Sequence, residues 1–441
     1  MTAPLRRLLN SGRGEGLKAQ LVRGALGVGG LKLLSLPLTL GTSILLARGL
    51  GPEGYGQYVF VLAVISMMAL PVGPGLGQLV TREIAKFHHS EEWGLFRGLL
   101  RRAHQWVVLG SLVLGVLIAM LSVQNARWVM GDRWTLLLLA TLMLPLLGLN
   151  ALRSATLRGL RNVFYAQVPE LIARPGLHLI IAASLLLVGV LNPATALVSQ
   201  IMSTALAFFI GAWFLSRLKP RPVGLATPAY RQSEWGRSLL PFTLLAAVAI
   251  LNGQIGILAL GWLGTDAEVA SLRIAQNGAM LVVVSQAIVN QVIGPHVTRA
   301  RQNNDESRLK SLSKQSARGA LAVALPIALP LIFLGAPIVG FIYGETYQNT
   351  VPLPLIILAI GQLVNVAFGS VGLFLTMSGF ERDTLAGQVV ALAVNAIAAI
   401  ILIPPFGVVG AAVAITIGLV TWNVVLATRF VKRLGFTPSA F

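Results

Sequence analysis

Long apolar runs separated by short polar breaks set the pattern of this chain. Twelve such runs can be read, at roughly 24–47, 55–80, 105–124, 134–153, 172–190, 194–216, 238–262, 270–294, 317–342, 351–377, 384–403 and 407–428. Each holds about twenty residues or more, the length that roughly 30 Å of hydrocarbon requires at 1.5 Å rise per residue. The runs are continuous rather than alternating. Lipid leaves only helices or closed barrels as spanning structures, and continuous runs select helices. The pattern predicts an all-α integral membrane protein with twelve transmembrane helices. The polar segments 82–104 and 299–316 read as connecting helices near the interface.

One break organises the rest. In Gly41–Tyr58, GTSILLARGLGPEGYGQY, an apolar helix runs out at Ala47 and Arg48, breaks at Gly49, Gly51 and Pro52, and restarts near Tyr55. Glycine supplies turn conformations that other residues resist, and proline pre-sets a first helical turn. A degraded copy follows at Ile255–Leu272, with Leu263-Gly264 in place of Leu50-Gly51. Asn150 through Arg161-Asn162 likewise resembles Asn365 through Phe380-Glu381, and the Asn192-Pro193-Ala194 turn matches Phe406-Gly407-Val408. The chain therefore reads as a duplication of a six-span unit. An even number of spans keeps orientation, so two six-helix lobes are expected about a pseudo-two-fold along the membrane normal. They are residues 1–220 and 237–441, joined by a cytoplasmic linker at 221–236.

Charge fixes the expected orientation. The chain carries 34 Lys and Arg against 15 Asp and Glu, a net charge of +19. Nearly all the basic residues fall at the termini and in the loops of one side, and only Arg48, Arg127, Arg133 and Arg273 lie on the other. Positive loops stay inside, which puts both termini in the cytoplasm. The basic balance thus points to anionic membrane lipids as partners and away from nucleic acid. Trp106, Trp128, Trp134, Trp213, Trp235 and Trp262 all fall near span ends, where the amphipathic ring prefers the interface. The chain has no cysteine, so disulfide and thiolate chemistry are excluded.

The runs ALRSATLRGLRN and VPELIARP, and above all LLARGLGPEGYGQYVFVLAV, resemble the polysaccharide-transport branch of the multidrug/oligosaccharidyl-lipid/polysaccharide exporter superfamily, of the O-antigen or exopolysaccharide flippase type. The resemblance implies two lobes flanking a central cavity in a bacterial cytoplasmic (inner) membrane. It also implies a substrate of undecaprenyl-pyrophosphate-linked oligosaccharide, moved from the inner to the outer leaflet by alternating access. Polysaccharide polymerase and glycosyltransferases are the implied protein partners. The alternatives in the same superfamily are a multidrug extruder and a lipid II flippase, the latter usually carrying two further C-terminal spans.

An ionisable residue in hydrocarbon marks a functional position by default. Lys32 lies well inside the first span, and is expected to face the cavity and hold the pyrophosphate; the alternative is snorkelling of its stem to the interface. Arg48 and Arg273 sit beside the two hairpin copies. They read as an outer cationic rim for the anionic headgroup, or as anchors paired with Glu53, Asp266 or Glu268. Arg174 reads as an inner anchor able to pair with Glu170 one turn back, and Arg153 and Arg158 as mostly topological. Pro71, Gly73, Pro74 and Gly75, with Gly77 beyond them, interrupt the second span and suggest a hinge, static bending being the alternative. Every acidic residue reads as lying in a loop or near a span end. That suits an anionic substrate and not a carboxylate-lined drug site. His88-His89 beside Glu91-Glu92 reads as a solvated loop and not as a metal site. No catalytic constellation, cofactor loop or metal motif is present, so a transporter is expected rather than an enzyme.

Overall fold

The computed structural model describes residues 17–125 and 132–438. Arg6, Arg7 and Arg13 near the N-terminus, and Arg127 and Trp128 of the loop after the third span, lie outside the described residues. Among the described residues, all the regular structure is helical. Among the described residues nine helices are long and apolar enough to cross a membrane, and Pro352–Phe368 with Val371–Met377, bent by 42°, makes ten if the pair is one broken span. Two of the nine are double. Leu17–Met68 turns at Gly51, with φ 70° and ψ 177°, and Glu381–Leu434 turns at Gly407, with φ 52° and ψ −129°. Only glycine adopts those angles at little cost, so each pair of helices meets at a single residue. Split there, the described residues are consistent with a twelve-span layout.

The span edges differ from expectation at two places. The expected ninth span, 317–342, ends at Phe333 and a separate helix, Gly335–Tyr343, follows, while 299–316 belongs largely to the long helices Asp266–Gln302 and Glu306–Phe333. The second span ends at Met68, where residues 69–73 form a turn, and a separate helix, Pro74–His89, begins after it. Pro74 opens that helix, where its missing N–H is no loss. The segment from Pro74 is amphipathic and packs as a connecting element, so the continuous run 55–80 was two helices read as one.

The chain divides into two compact units. One comprises Met1–Thr42, Met68–Val190 and Ala194–Ala246; the other comprises Ser43–Met67, Leu191–Pro193 and Ala247–Phe441. The end of the first span and nearly all of the second thus cluster with the C-terminal part of the chain.

The first unit is centred on the connecting helices. Leu79, Ile84, Phe87, Phe96 and Leu99 pack with Leu152, Val223 and Trp235. Trp235 was expected at the interface, yet it is 1% exposed and belongs to this core. The segment after Leu218 is strapped to the Trp93–Asn125 helix: Arg97 Nη1 donates to the carbonyls of Gly224 (2.9 Å) and Ala226 (2.8 Å), and Ala229 N–H donates to Gly94 O at 2.9 Å. Gly98 permits this approach, because a Cβ there would lie 1.8 Å from Ala229 O.

The second unit has its own core of Val297, Leu309, Val371, Phe374, Leu426 and Phe430. At its edge Asp383 takes Arg433 Nε at 2.9 Å and Arg429 Nη1 at 3.2 Å. Asp305 caps the Glu306–Phe333 helix by accepting the Arg308 N–H at 2.9 Å.

Candidate functional site

The second unit brings the two hairpin copies into contact. A Cβ on Gly56 would lie 1.8 Å from Asp266 O, and one on Gly261 would lie 2.1 Å from the Phe60 ring. These glycines let the backbones of the two copies touch. The Phe60 and Trp262 rings meet edge to face at 6.3 Å, a favoured aromatic geometry. Each hairpin also meets its own later turn. Gly54 is close-packed on Pro193, while Glu268 Oε1 accepts the Val408 N–H at 3.2 Å beside Gly407. The repeat read from the sequence is therefore repeated in its packing. Thr265 and Glu268 form a capping box that fixes the start of the Asp266–Gln302 helix.

Polar side chains fasten the first hairpin to this unit. Asn277 Nδ2 donates to Ser43 Oγ at 2.8 Å, and Ser43 Oγ shares a hydrogen bond with the Tyr55 hydroxyl at 2.8 Å. Tyr347 donates its hydroxyl to Ala47 O at 3.1 Å, and Arg48 donates to Phe341 O. Burial pushes the Tyr347 phenol well above its ordinary value, with Tyr55 and Tyr343 adding to the shift. Its proton is thus held for the Ala47 carbonyl. Arg273 stands one turn before Asn277 on the Asp266–Gln302 helix.

Deeper in the same unit lies a chain of neutral amides. Gln286 Nε2 donates to Gly369 O at 2.9 Å, Asn365 Nδ2 donates to Gln286 Oε1 at 3.1 Å, and Asn423 Nδ2 donates to Asn365 Oδ1 at 3.0 Å. Ser370 donates to Asn290. Gly369, at φ +77°, is the break of the bent span. A helix broken in lipid frees carbonyls that neighbours must satisfy, and Gln286 does so here.

The first unit fills the corresponding place with charge. Asn150 Nδ2 reaches Thr204 O at 3.4 Å, and one turn on Arg153, 3% exposed, pairs with Glu170 Oε1 at 2.9 Å. Arg174 Nη1 lies 3.4 Å from Glu170 Oε2. Gly211 makes room for the Arg153 guanidinium, since a Cβ there would lie 1.2 Å from Nη1. Glu170 sits in a π turn, Pro169–Ala173, inside the Val163–Leu187 span.

The expected site residues are distributed over both units. Lys32 belongs to the first, where its side chain is exposed. Arg48 and Arg273 both belong to the second, so the two cations expected one per lobe share one unit. Pro71, Gly73 and Pro74 do mark a break, at the turn 69–73, which is also where the chain passes from one unit to the other. Gly75 has a packing reason of its own: a Cβ there would lie 2.4 Å from Thr243 Oγ1. Arg174 pairs with Glu170 as expected. Glu170 lies not in a loop but on the Val163–Leu187 helix, toward its N-terminal end. The amide chain went unread because Gln and Asn carry no charge to stand out in an apolar run.

Residues 45–352 match a protein family described as polysaccharide biosynthesis protein. The chain is 23% identical over 398 residues to the probable low-salt glycan biosynthesis flippase Agl15 of Haloferax volcanii, covering 88% of this chain and 78% of that one. Its fold is similar to an inward-facing multidrug resistance MATE family transporter of the MOP superfamily, with TM-score 0.74, 15% identity, and 92% and 98% of the two chains covered. It is equally similar to the lipid II flippase MurJ in an inward closed conformation, with TM-score 0.74, 13% identity, and 90% and 86% covered.

Proposed function

This chain belongs to the polysaccharide biosynthesis protein family, and from that membership we propose that it flips undecaprenyl-pyrophosphate-linked oligosaccharide units from the cytoplasmic to the outer leaflet by alternating access. It is a multi-pass membrane protein with a transporter fold, and its relatives are transporters and flippases rather than enzymes. The proposed setting is a bacterial inner membrane with both termini cytoplasmic. The proposed halves are residues 1–220 and 237–441, with the turn around Pro71, Gly73, Pro74 and Gly75 as the joint. Polymerase and glycosyltransferases would hand over and consume the glycan.

The observation that carries this reading is the placement of Arg48 and Arg273. The offset that aligns Gly51 with Gly264 also aligns Phe60 with Arg273 and Arg48 with Gly261. A two-fold relation would then carry the observed Phe60–Gly261 contact onto Arg48 and Arg273. Two cations in one unit, each beside a hairpin copy, suit an anionic headgroup and oppose a cationic drug. Lys32, within the first span, is proposed as the headgroup contact on the way out. Lys32→Ala is expected to abolish glycan export in cells while the protein still inserts, with Lys32→Arg keeping part of it. Full export by Lys32→Ala would remove that role, and a rise in resistance to cationic dyes on overexpression would favour the multidrug reading.

A further inference from the structure

The two units satisfy one repeated asparagine in different ways. Asn365 is met by neutral amides, whereas Asn150 has a buried ion pair one turn away. A buried pair is seldom more stable than apolar groups of the same volume, and the second unit manages without one. Charge in a span is therefore a functional signal here.

The cluster is also unbalanced. Glu170 faces Arg153 at 2.9 Å and Arg174 at 3.4 Å. One carboxylate meets two guanidinium groups, and Arg158 follows Arg153 on the same helix, so positive charge is to spare. The three differ in access. Arg153 is 3% exposed, and its Nε has no hydrogen-bond partner among the described residues. Arg174 is a third exposed, and Arg158 is exposed beside Gly77 of the Pro74–His89 helix. Glu170 is carried on the π turn, a rare geometry that recurs at functional sites.

We propose that the Glu170 carboxylate stands in for an anionic headgroup: the pyrophosphate of a lipid-linked glycan displaces it from Arg174 and Arg158, which form an anion subsite in the first unit, while Arg153 positions the carboxylate. Glu170 has two partners because only one is exchanged. The contact with Arg174 gives way, and the contact with Arg153 stays, so no buried charge is orphaned. The inference rests on the proposed export of an anionic glycolipid.

The test is binding of geranyl pyrophosphate to the full chain in phosphatidylcholine nanodiscs. Glu170→Gln removes the competitor and is expected to tighten binding about fivefold, while Arg174→Gln and Arg158→Gln each weaken it roughly tenfold, as expected for loss of one charge-assisted contact. Arg174→Lys should keep most of the affinity; if Glu170→Gln fails to fold, equal affinities of Arg174→Lys and Arg174→Gln overturn the proposal. Equal affinity in all variants places the ligand elsewhere and also overturns it. So does the same pattern with inorganic pyrophosphate but not the prenyl compound, which marks a free-phosphate site, or equal displacement by phosphatidylglycerol, which marks a bulk-lipid site. A flat binding pattern beside an export defect in Lys32→Ala removes the subsite and spares the flippase reading. The ordered pattern without any glycolipid export does the reverse.

Discussion

Asn150 and Asn365 hold matching places in the repeat, and each is bonded to the sixth span of its own repeat: Asn150 to Thr204 O, Asn365 to Asn423. Around them the units diverge. The second surrounds its asparagine with amides that also hold the broken span at Gly369. The first places Arg153 and Glu170 there, on a span that keeps its course through a π turn. Neutral amides suffice to tie spans together, and a hydrogen bond of this kind in a membrane contributes only about 0.6–2 kcal/mol. The charges of the first unit must therefore be explained by something other than holding spans together.

Four measurements would break or sharpen that contrast. The largest effect is expected for Gly211→Ala, which puts a Cβ where the Arg153 guanidinium lies. Driving that group from Glu170 leaves buried charge unpaired, a loss of about 3–5 kcal/mol seen as a lower thermal midpoint in detergent. A shift near zero would mean that the pair is not the tight one observed. Gln286→Leu should cost about 1–2 kcal/mol in the same assay, because the Gly369 carbonyl loses its donor. If its effect matched that of Gly211→Ala, the division between charged and neutral interiors would fail. The double change Arg153→Met with Glu170→Met should leave stability within about 1 kcal/mol of the parent. Export should nevertheless be lost, and retained export would make the charges ornamental.

The smallest effect concerns Asp305, outside the spans. Its hydrogen bonds from the Arg308 N–H and the Ser307 hydroxyl hold the carboxyl below its ordinary value of 3.8. The cap is therefore fully present above the ordinary carboxylate range and is lost as pH falls through the lowered value. Amide exchange at the start of the Glu306–Phe333 helix should rise over that acid interval, and Asp305→Asn should remove the pH dependence. A rise that persists in the Asn variant would assign it to another group.

The helices were legible because lipid enforces long apolar runs, and the hairpin because Gly51 and Gly407 are needed at positive φ. The break after Met68 was signalled by Pro71, Gly73 and Pro74, but the separate helix beyond it was not, since that helix is apolar enough to extend a run while its buried face serves the connecting-helix core. Arg48 and Arg273 could be named as odd cations, but their common unit could not, because Ser43–Met67 joins residues far along the chain. Glu170 was visible as a partner for Arg174. Its second partner, Arg153, depends on a helix-to-helix approach opened by Gly211, which no local pattern announces.

That first hairpin also sets a timetable for synthesis. Asn277 follows Ser43 by 234 residues, and Tyr347 follows Ala47 by 300. At roughly 5–20 residues per second, the ribosome takes about 15–60 s to deliver the last of these partners. Until then Ser43 lacks its Asn277 donor and the Ala47 carbonyl lacks the Tyr347 hydroxyl. The nascent protein must shelter them, so an insertion partner, or slow translation past Tyr347, bears directly on yield.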